Sequence, residues 1–288
     1  MSELTIRSAR PIPWGDLLSL PAMVRALWRY RDLVRQFTVR EVMVRHKGTS
    51  LGLLWAVVQP LLVLAIYTFV FGFVFQNRWS HLRGPDWANF PLNFFAGYLI
   101  FGVFSDCVNR SPSLITEHPN LVRKVVFPLE ILPLTCCGAG LVYFFISLAL
   151  LIVVTFILTL SIPWTIVLFP LALVPLIMLS LGVSWLFASL GAFIRDFKQV
   201  VPVLTQLMFF VTPVFYDVSA IKEPYQQIIR LNPMTTIVQF GRKTLMWGQV
   251  PTGEDWASLG VVTALALAVM IGGYAWFAKS KRGLADVL

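Results

Sequence analysis

Charge is scarce in this chain, and it vanishes where the chain is most apolar. Asp, Glu, Lys and Arg make up 13% of the 288 residues and apolar types 57%, whereas an ordinary soluble domain carries about 25% charged residues. So little charge cannot clothe a water-exposed surface, so a single membrane-embedded bundle is expected. No stretch reads G-x-x-x-x-G-K-[ST], which excludes a phosphate-cradling loop of that kind. No His-Glu-x-x-His occurs, and His46, His81 and His118 lie in three separate polar segments, which argues against a metal site. Cysteine is limited to Cys107, Cys136 and Cys137, in or near apolar stretches. An odd number at that spacing reads as small apolar filler rather than a disulfide framework. Residues 1–47 contain no early apolar core, so no cleavable signal is expected. Ion-coupled transporters and proton pumps place ionisable groups inside their spans. The apolar runs here hold almost none, so the energy source for any transport is expected outside this chain.

What is present is a set of long charge-free runs. A helix needs about 20 apolar residues to cross the hydrocarbon core. Residues 51–76 give a first span and Trp87–Ser105 a second. Residues 131–194 carry no charge at all and are too long for one crossing. Ser161-Ile162-Pro163-Trp164 splits them into a third and a fourth, because Pro ends or kinks a helix. Gln199–Tyr216 gives a fifth and Trp256–Ala278 a sixth. The expected fold is all-α, with six transmembrane helices and both termini on one side. Its parts are a cytoplasmic N-terminus with an interfacial helix (1–50), a membrane domain (51–278) and a cytoplasmic tail (279–288).

The positive-inside rule sets the side. With the N-terminus cytoplasmic, seventeen of the twenty-three Lys and Arg fall inside and six outside. The net charge of +9 therefore points to anionic lipid headgroups beside apolar spans, not to nucleic acid. The sharpest local signal is the junction at residues 40–60, where Arg40, Arg45 and Lys47 end a basic stretch and all charge then stops.

Two segments do not read as simple spans. Over 22–47, Met23, Leu27, Tyr30, Val34 and Phe37 recur at helical spacing while Arg25, Arg29, Arg35 and Arg40 lie mainly off that stripe. That is the pattern of a helix lying in the membrane interface. Residues 217–255 hold too many apolar residues for a solvated loop and too many polar ones for a span. Short re-entrant helices fit, since irregular backbone at membrane depth must be buried in protein or line a cavity. Aromatic rings crowd the spans: Phe69 and Phe73 in the first, Tyr98, Phe101 and Phe104 in the second, Phe209, Phe210 and Tyr216 in the fifth. Such faces can stack on sugars while staying neutral, or serve simply as lipid contacts and core. His81 and Asp86 have the spacing of an acyltransferase pair, in which the carboxylate orients a general base. They lie in a short outer loop, where a two-position match arises easily by chance. Asp106 and Arg110 are four apart, the spacing of a local helical ion pair.

The junction resembles the signature of ABC-2 type permeases that export O-antigen, capsule or teichoic-acid polymers. In that family a basic interfacial helix runs into R-x-x-x-x-R-x-K-x-S-x-L-G-x-x-W and then Pro. Here the matching residues are Arg40, Arg45, Lys47, Leu51, Gly52, Trp55 and Pro60, with Ser50 after Gly48-Thr49, one place later than the pattern's Ser, and His46 where the family usually has Tyr. Leu121–Pro133, Arg195-Asp196, Thr212–Tyr216 and Leu231–Met234 match further family segments in order. The resemblance implies a homodimer, each copy a permease subunit with no nucleotide site of its own. Two copies of a separate ATPase would bind ATP and Mg, so no cofactor is expected in this chain. The substrate would be a lipid-linked polysaccharide, most simply of O-antigen type, crossing the bacterial cytoplasmic (inner) membrane. Arg40, Arg45, Lys47 and Trp55 would form the cytoplasmic gate. The aromatic residues named above would line the channel. Glu117, His118, Asn120, Arg123 and Lys124 would dock the ATPase, and Asn232, Pro233 and Phe240 would belong to the outer gate within 217–255.

Other classes remain open from the residues alone. A membrane-embedded acyl or glycosyl transferase would need a carboxylate cluster or a His/Asp pair at a membrane face, and only His81 and Asp86 offer one. An ion-coupled lipid flippase would need the intramembrane charge that is scarce here. An ABC-2 permease for a small molecule is disfavoured only by the resemblance.

Overall fold

The computed structural model describes residues 19–45, 47–74, 86–122 and 127–287, and every regular element among them is helical. His46, His81, Arg123 and Lys124 lie outside the described residues. The amphipathic stretch forms two helices, α1 (Leu20–Arg29) and α2 (Arg31–Arg45), broken at Tyr30, whose backbone sits at φ −102°, ψ 14°. The stripe holds as expected. Met23 is buried, Leu27, Val34 and Phe37 are half-buried, and Arg25, Arg29, Arg35 and Arg40 are exposed. Thr38 of α2 lies against Gly138, where a Cβ would come within 2.8 Å of the Thr38 hydroxyl.

Helix α3 (Trp55–Tyr67) follows a 3-10 turn (Gly52–Leu54) and continues as π-helical turns over Thr68–Val74. Helix α4 (Asp86–Arg110), extended by a 3-10 turn at Ser111–Ser113, is the hub. Its Phe94, Phe95 and Ala96 are fully buried, and helices on several sides pack against it. A short helix, α5 (Pro119–Val122), precedes α6 (Ile131–Thr159). The next break falls where Ser161–Trp164 predicts it. Leu160 takes the left-handed conformation (φ 51°) and a 3-10 turn (Trp164–Leu168) leads into α7 (Pro170–Phe193).

Helix α8 (Phe197–Val211) is shorter than the expected fifth span. Thr212 is extended (φ −79°, ψ 133°), because the residue before a proline is pushed out of the α region. Its 15 residues rise only about 22 Å, against a hydrocarbon core of about 30 Å. Among the described residues five helical stretches, by contrast, are long and apolar enough to cross a membrane: Trp55–Val74, Trp87–Ser113, Ile131–Thr159, Trp164–Phe193 and Gly253–Lys281. Beyond α8 lie α9 (Tyr225–Leu231), α10 (Pro233–Arg242) with a π-helical extension at Lys243–Trp247, and α11 (Gly253–Val287).

Helices α7 and α11 cross with glycine facing glycine. A Cβ on Gly182 would lie 2.6 Å from backbone atoms of Val269 and Met270, and one on Gly273 would overlap the Gly182 carbonyl oxygen. Without water to squeeze out, helices in lipid associate through such close packing at small residues. A second apolar cluster gathers Met23, Ile115, Leu129, Leu132, Trp185 and Phe277. It joins α1 and the 114–130 segment to α7 and α11, and Trp185 Nε1 donates to the Glu130 carbonyl at 3.0 Å. Lys281 adds an ion pair to the Glu130 carboxylate at 2.8 Å. Gly191 lets the 3-10 turn after α4 approach α7, since a Cβ there would overlap the backbone of Pro112. Gly191→Ala is therefore expected to lower the melting temperature of the detergent-purified protein, overpacking costing about 1–3 kcal/mol. Gly102→Ala, which meets nothing within 4 Å, should leave it unchanged.

Candidate functional site

A cavity of about 730 Å³ opens between α3, α4, α6 and α8. Its walls are aromatic and neutral-polar. Tyr98 and Phe101 come from α4, Phe209 and Gln206 from α8, Gln59 from α3, and Tyr143 and Ser147 from α6. Phe209 meets Phe101 at 5.1 Å between centroids and stands edge-on to Phe215 at 4.7 Å. Phe215 belongs to the turn after α8 and also meets Phe94 at 5.5 Å and Phe210 at 5.6 Å. Tyr67 of α3 stacks on Phe94 at 3.9 Å and continues the ring row toward Phe71 and Phe90. Phe215 is thus packed behind Phe209 at the aromatic side of the cavity, and Tyr98 and Asp106 are eight residues apart, about 12 Å along α4.

The opposite end is charged. Arg45 Nη2 of α2 donates to Asp106 Oδ2 at 2.7 Å, and Arg110 is paired with Glu41. Asp106 and Arg110 therefore reach across to a second helix, which corrects the expectation of a local pair within α4. The reason is that α2 packs along α6 beside α4, which brings the Glu41 and Arg45 side chains within reach of both. Arg45 also lies 4.9 Å over the Tyr143 ring, whose hydroxyl donates to the Val42 carbonyl at 3.3 Å. These four charged side chains are each between 21% and 30% exposed, a setting where an opposite charge matters more than on an open surface. Two polar atoms at the cluster, Asn109 Oδ1 and Arg110 Nη1, have no hydrogen-bond partner among the described residues.

The predicted residues divide clearly. Of the four gate residues, Arg45 lines the cavity; Arg40 and Lys47 are exposed outside it, and Trp55 is half-buried at the start of α3. Of the aromatic set, Tyr98, Phe101 and Phe209 line the cavity. Phe104 is packed in the core, and Phe69, Phe73 and Phe210 stand on exposed helix faces, Phe73 stacked on Trp87 at 5.8 Å. The Tyr216 hydroxyl turns back to the Phe210 and Val211 carbonyls, satisfying the end of α8. Glu117 is exposed, and the His118 ring is 3.0 Å from the Leu114 carbonyl in the turn before α5, whose second residue is Asn120. Asn232 caps α10 by accepting from the Met234 amide and donates to the Thr212 hydroxyl, both at 3.0 Å; Pro233 opens the helix. Phe240 is buried, edge-on to Trp256 at 5.3 Å.

Sequence reading missed the neutral polar side chains in the cavity wall. Gln59 and Gln206 are the clearest, since each is an amide inside an otherwise apolar span. It also counted Arg242 only as one of the six cations on the outer side. In the fold Arg242 is fully buried, donating Nε to Asn93 O (2.9 Å), Nη1 to Pro213 O (2.5 Å) and Nη2 to Val214 O (2.7 Å). Burial lowers its pKa to about 9, with Asp217 opposing the shift, so the guanidinium stays charged at neutral pH. The signal was a cation pair, Arg242-Lys243, directly after the apolar stretch of α10 and before Leu245-Met246-Trp247. Among the described residues no group of three or more His, Cys, Asp or Glu could hold a metal ion, and Cys107, Cys136 and Cys137 are buried and free.

Residues 32–246 match the family described as ABC-2 type transporter. The chain belongs to that family. As an ABC-2 chain it is similar along most of its length to permeases of polymer export systems. It is 29% identical over 247 residues to the O-antigen export system permease protein RfbA of Myxococcus xanthus, covering 85% of this chain and 92% of that one. With RfbA of Klebsiella pneumoniae it shares 28% over 259 residues, covering 89% and 95%. With the polysialic acid transport protein KpsM of Escherichia coli the figure is 25% over 251 residues, covering 84% and 92%. The family, together with the five long apolar helices, makes this a multi-pass membrane protein.

Proposed function

We propose that this ABC-2 chain is the channel-forming subunit of an exporter that moves a lipid-linked polysaccharide, of O-antigen type, across the bacterial cytoplasmic membrane. ATP is hydrolysed by a separate subunit, and the N- and C-termini face the cytoplasm. The cavity carries the reading. Its walls offer hydrogen-bonding amides and hydroxyls between aromatic rings, the surface that binds neutral sugars without trapping them, and its Arg45 end offers cations where an anionic lipid diphosphate would arrive.

A homodimer completes the path. Leu61, Leu62 and Ile66 of α3 and Val203, Leu207 and Phe210 of α8 are exposed apolar residues on the two helices that border the cavity, so a second copy seated there would close it. The 114–122 segment, continuous with α4 and packed on α7, is placed to receive the ATPase. Helices α9 and α10 form the outer closure, next to the Phe215 end. Deletion of the chain in a cell that displays such a polymer should abolish surface polymer, and the intact chain should restore it. Undiminished polymer after deletion would contradict the reading. Tyr98→Ala and Phe209→Ala should each cut the export rate about 2- to 10-fold at normal membrane levels, the range expected from losing one aromatic contact of ~0.5–1.5 kcal/mol. Phe69→Ala, on an exposed helix face away from the cavity lining, should change it far less.

A further inference from the structure

Arg242 has no role in the reading above, yet it is the most deeply buried cation among the described residues. Burying a guanidinium costs several kcal/mol unless its donors are satisfied. Its partners lie in different parts of the fold. Asn93 O belongs to α4, whereas Pro213 O and Val214 O belong to the turn that ends α8. The C-terminal end of a helix carries partial negative charge from its unpaired carbonyls, so the end of α8 is a natural seat for a cation. Arg242 itself ends α10.

Neighbouring residues are shaped around this seat. Gly97 leaves the space the guanidinium fills, since a Cβ there would overlap Nη2 and lie 2.9 Å from Cζ. The Asn93 side chain, held by Asn89 O at 2.8 Å, accepts from Trp247 Nε1 at 2.6 Å, which ties the π-helical turn after α10 to the same stretch of α4. The turn that Arg242 grips also carries Phe215, the ring that backs Phe209 in the cavity wall.

We infer that Arg242 is a positioning residue for transport: it locks the outer α9–α10 hairpin to the end of α8 and to α4, so that the hairpin and Phe215 move as one body. The inference rests on the reading of α9–α10 as the outer closure. It assigns that closure a rigid attachment to the cavity wall instead of a hinge at Thr212–Asn232. Lysine does not substitute, because one ammonium cannot reach the carbonyls that a planar fork of donors spans.

The test uses the chain in its complex with the ATPase, in membranes. A Thr212→Cys/Asn232→Cys pair joins the same two bodies at residues whose side chains already touch at 3.0 Å. The native cysteines are buried, so oxidation acts on the engineered pair. With Arg242 intact, closing this disulfide is expected to leave export at the level of the same double-cysteine chain kept reduced. Arg242→Met and Gly97→Ala are each expected to reduce export and to speed amide exchange over 212–242 by about 10-fold relative to α6, as lost charge-assisted hydrogen bonds of ~1.5–3 kcal/mol imply. Oxidising the cysteine pair should restore both in the Arg242→Met background. Export that stops on oxidation of the unaltered background and returns on reduction overturns the inference, because the hairpin then has to hinge away from α8. So does uniform loss of protection across all helices in Arg242→Met, which marks a general folding role. If the export reading itself is wrong, the unmodified chain restores no surface polymer, while the exchange pattern over 212–242 still decides the attachment.

Discussion

Gly273→Ala should leave little folded chain in the membrane, whereas Gly272→Ala, one residue earlier, should leave normal amounts. The two substitutions add the same methyl group to the same helix. At Gly273 that carbon overlaps the Gly182 carbonyl oxygen, and at Gly272 it meets nothing within 4 Å. The obstacle at Gly273 is backbone and cannot rotate aside, so α7 and α11 must separate along the most extensive helix pairing in the fold. Overpacking of this rigidity costs ~3 kcal/mol or more. Ala in place of Gly in a helix interior otherwise gains about 0.5–1 kcal/mol, so Gly272→Ala is expected to be neutral or slightly stabilising. Membrane-fraction immunoblots and melting in detergent read both variants. Equal levels for the two would show that α7 and α11 do not cross at this point.

The second large effect is expected at the charged end of the cavity. Arg45→Ala should reduce export by about 10-fold or more, because it removes a cation from the cavity and strands the half-buried Asp106 carboxylate; breaking a fully buried pair costs about 3–5 kcal/mol and an exposed one under ~1. Asp106→Asn should be far milder, since it frees Arg45 for an incoming anion. The double variant Arg45→Ala/Asp106→Asn separates two roles. If Arg45 meets the anionic head of the substrate, the double variant stays as low as Arg45→Ala. If Arg45 serves only to neutralise Asp106 and anchor α2, the double variant recovers to the level of Asp106→Asn. Rates of surface polymer appearance at matched membrane levels distinguish the two outcomes.

The broad fold was legible because it depends on periodicity and on where charge stops. The run from 131 to 194 announces two helices, and Pro163 announces the break between them. The stripe Met23, Leu27, Val34, Phe37 foretells which face of α1 and α2 packs down. Aromatic content marked Tyr98, Phe101 and Phe209 as lining candidates, but the same signal marked Phe104, which the fold buries in its core. An aromatic residue looks identical in sequence whether it faces a cavity or a neighbouring helix, and only three-dimensional packing separates the two. The same limit explains Asp106 and Arg110. Spacing of four makes a local pair possible, yet the partner is chosen by which side chains reach the helix from its neighbours, here Glu41 and Arg45 of α2. Arg242 was missed because a side rule that counts cations treats each as solvated, whereas this one is held by carbonyl dipoles from distant segments. The shorter α8 was foreshadowed by Thr212-Pro213, whose helix-ending effect outweighs the apolar run before it.

The central claim is that polymer passes through the cavity between α3, α4, α6 and α8, and in-cell photo-crosslinking tests it most directly. A photoreactive phenylalanine analogue placed at Phe209, in the wall of the cavity, is expected to yield polymer-bearing adducts of the chain while export is running, and none when the ATPase is inactive. The same analogue at Phe104, in the neighbouring core, should yield none under either condition. Adducts from Phe104 but not Phe209, or none from Phe209 during active export, would contradict the account.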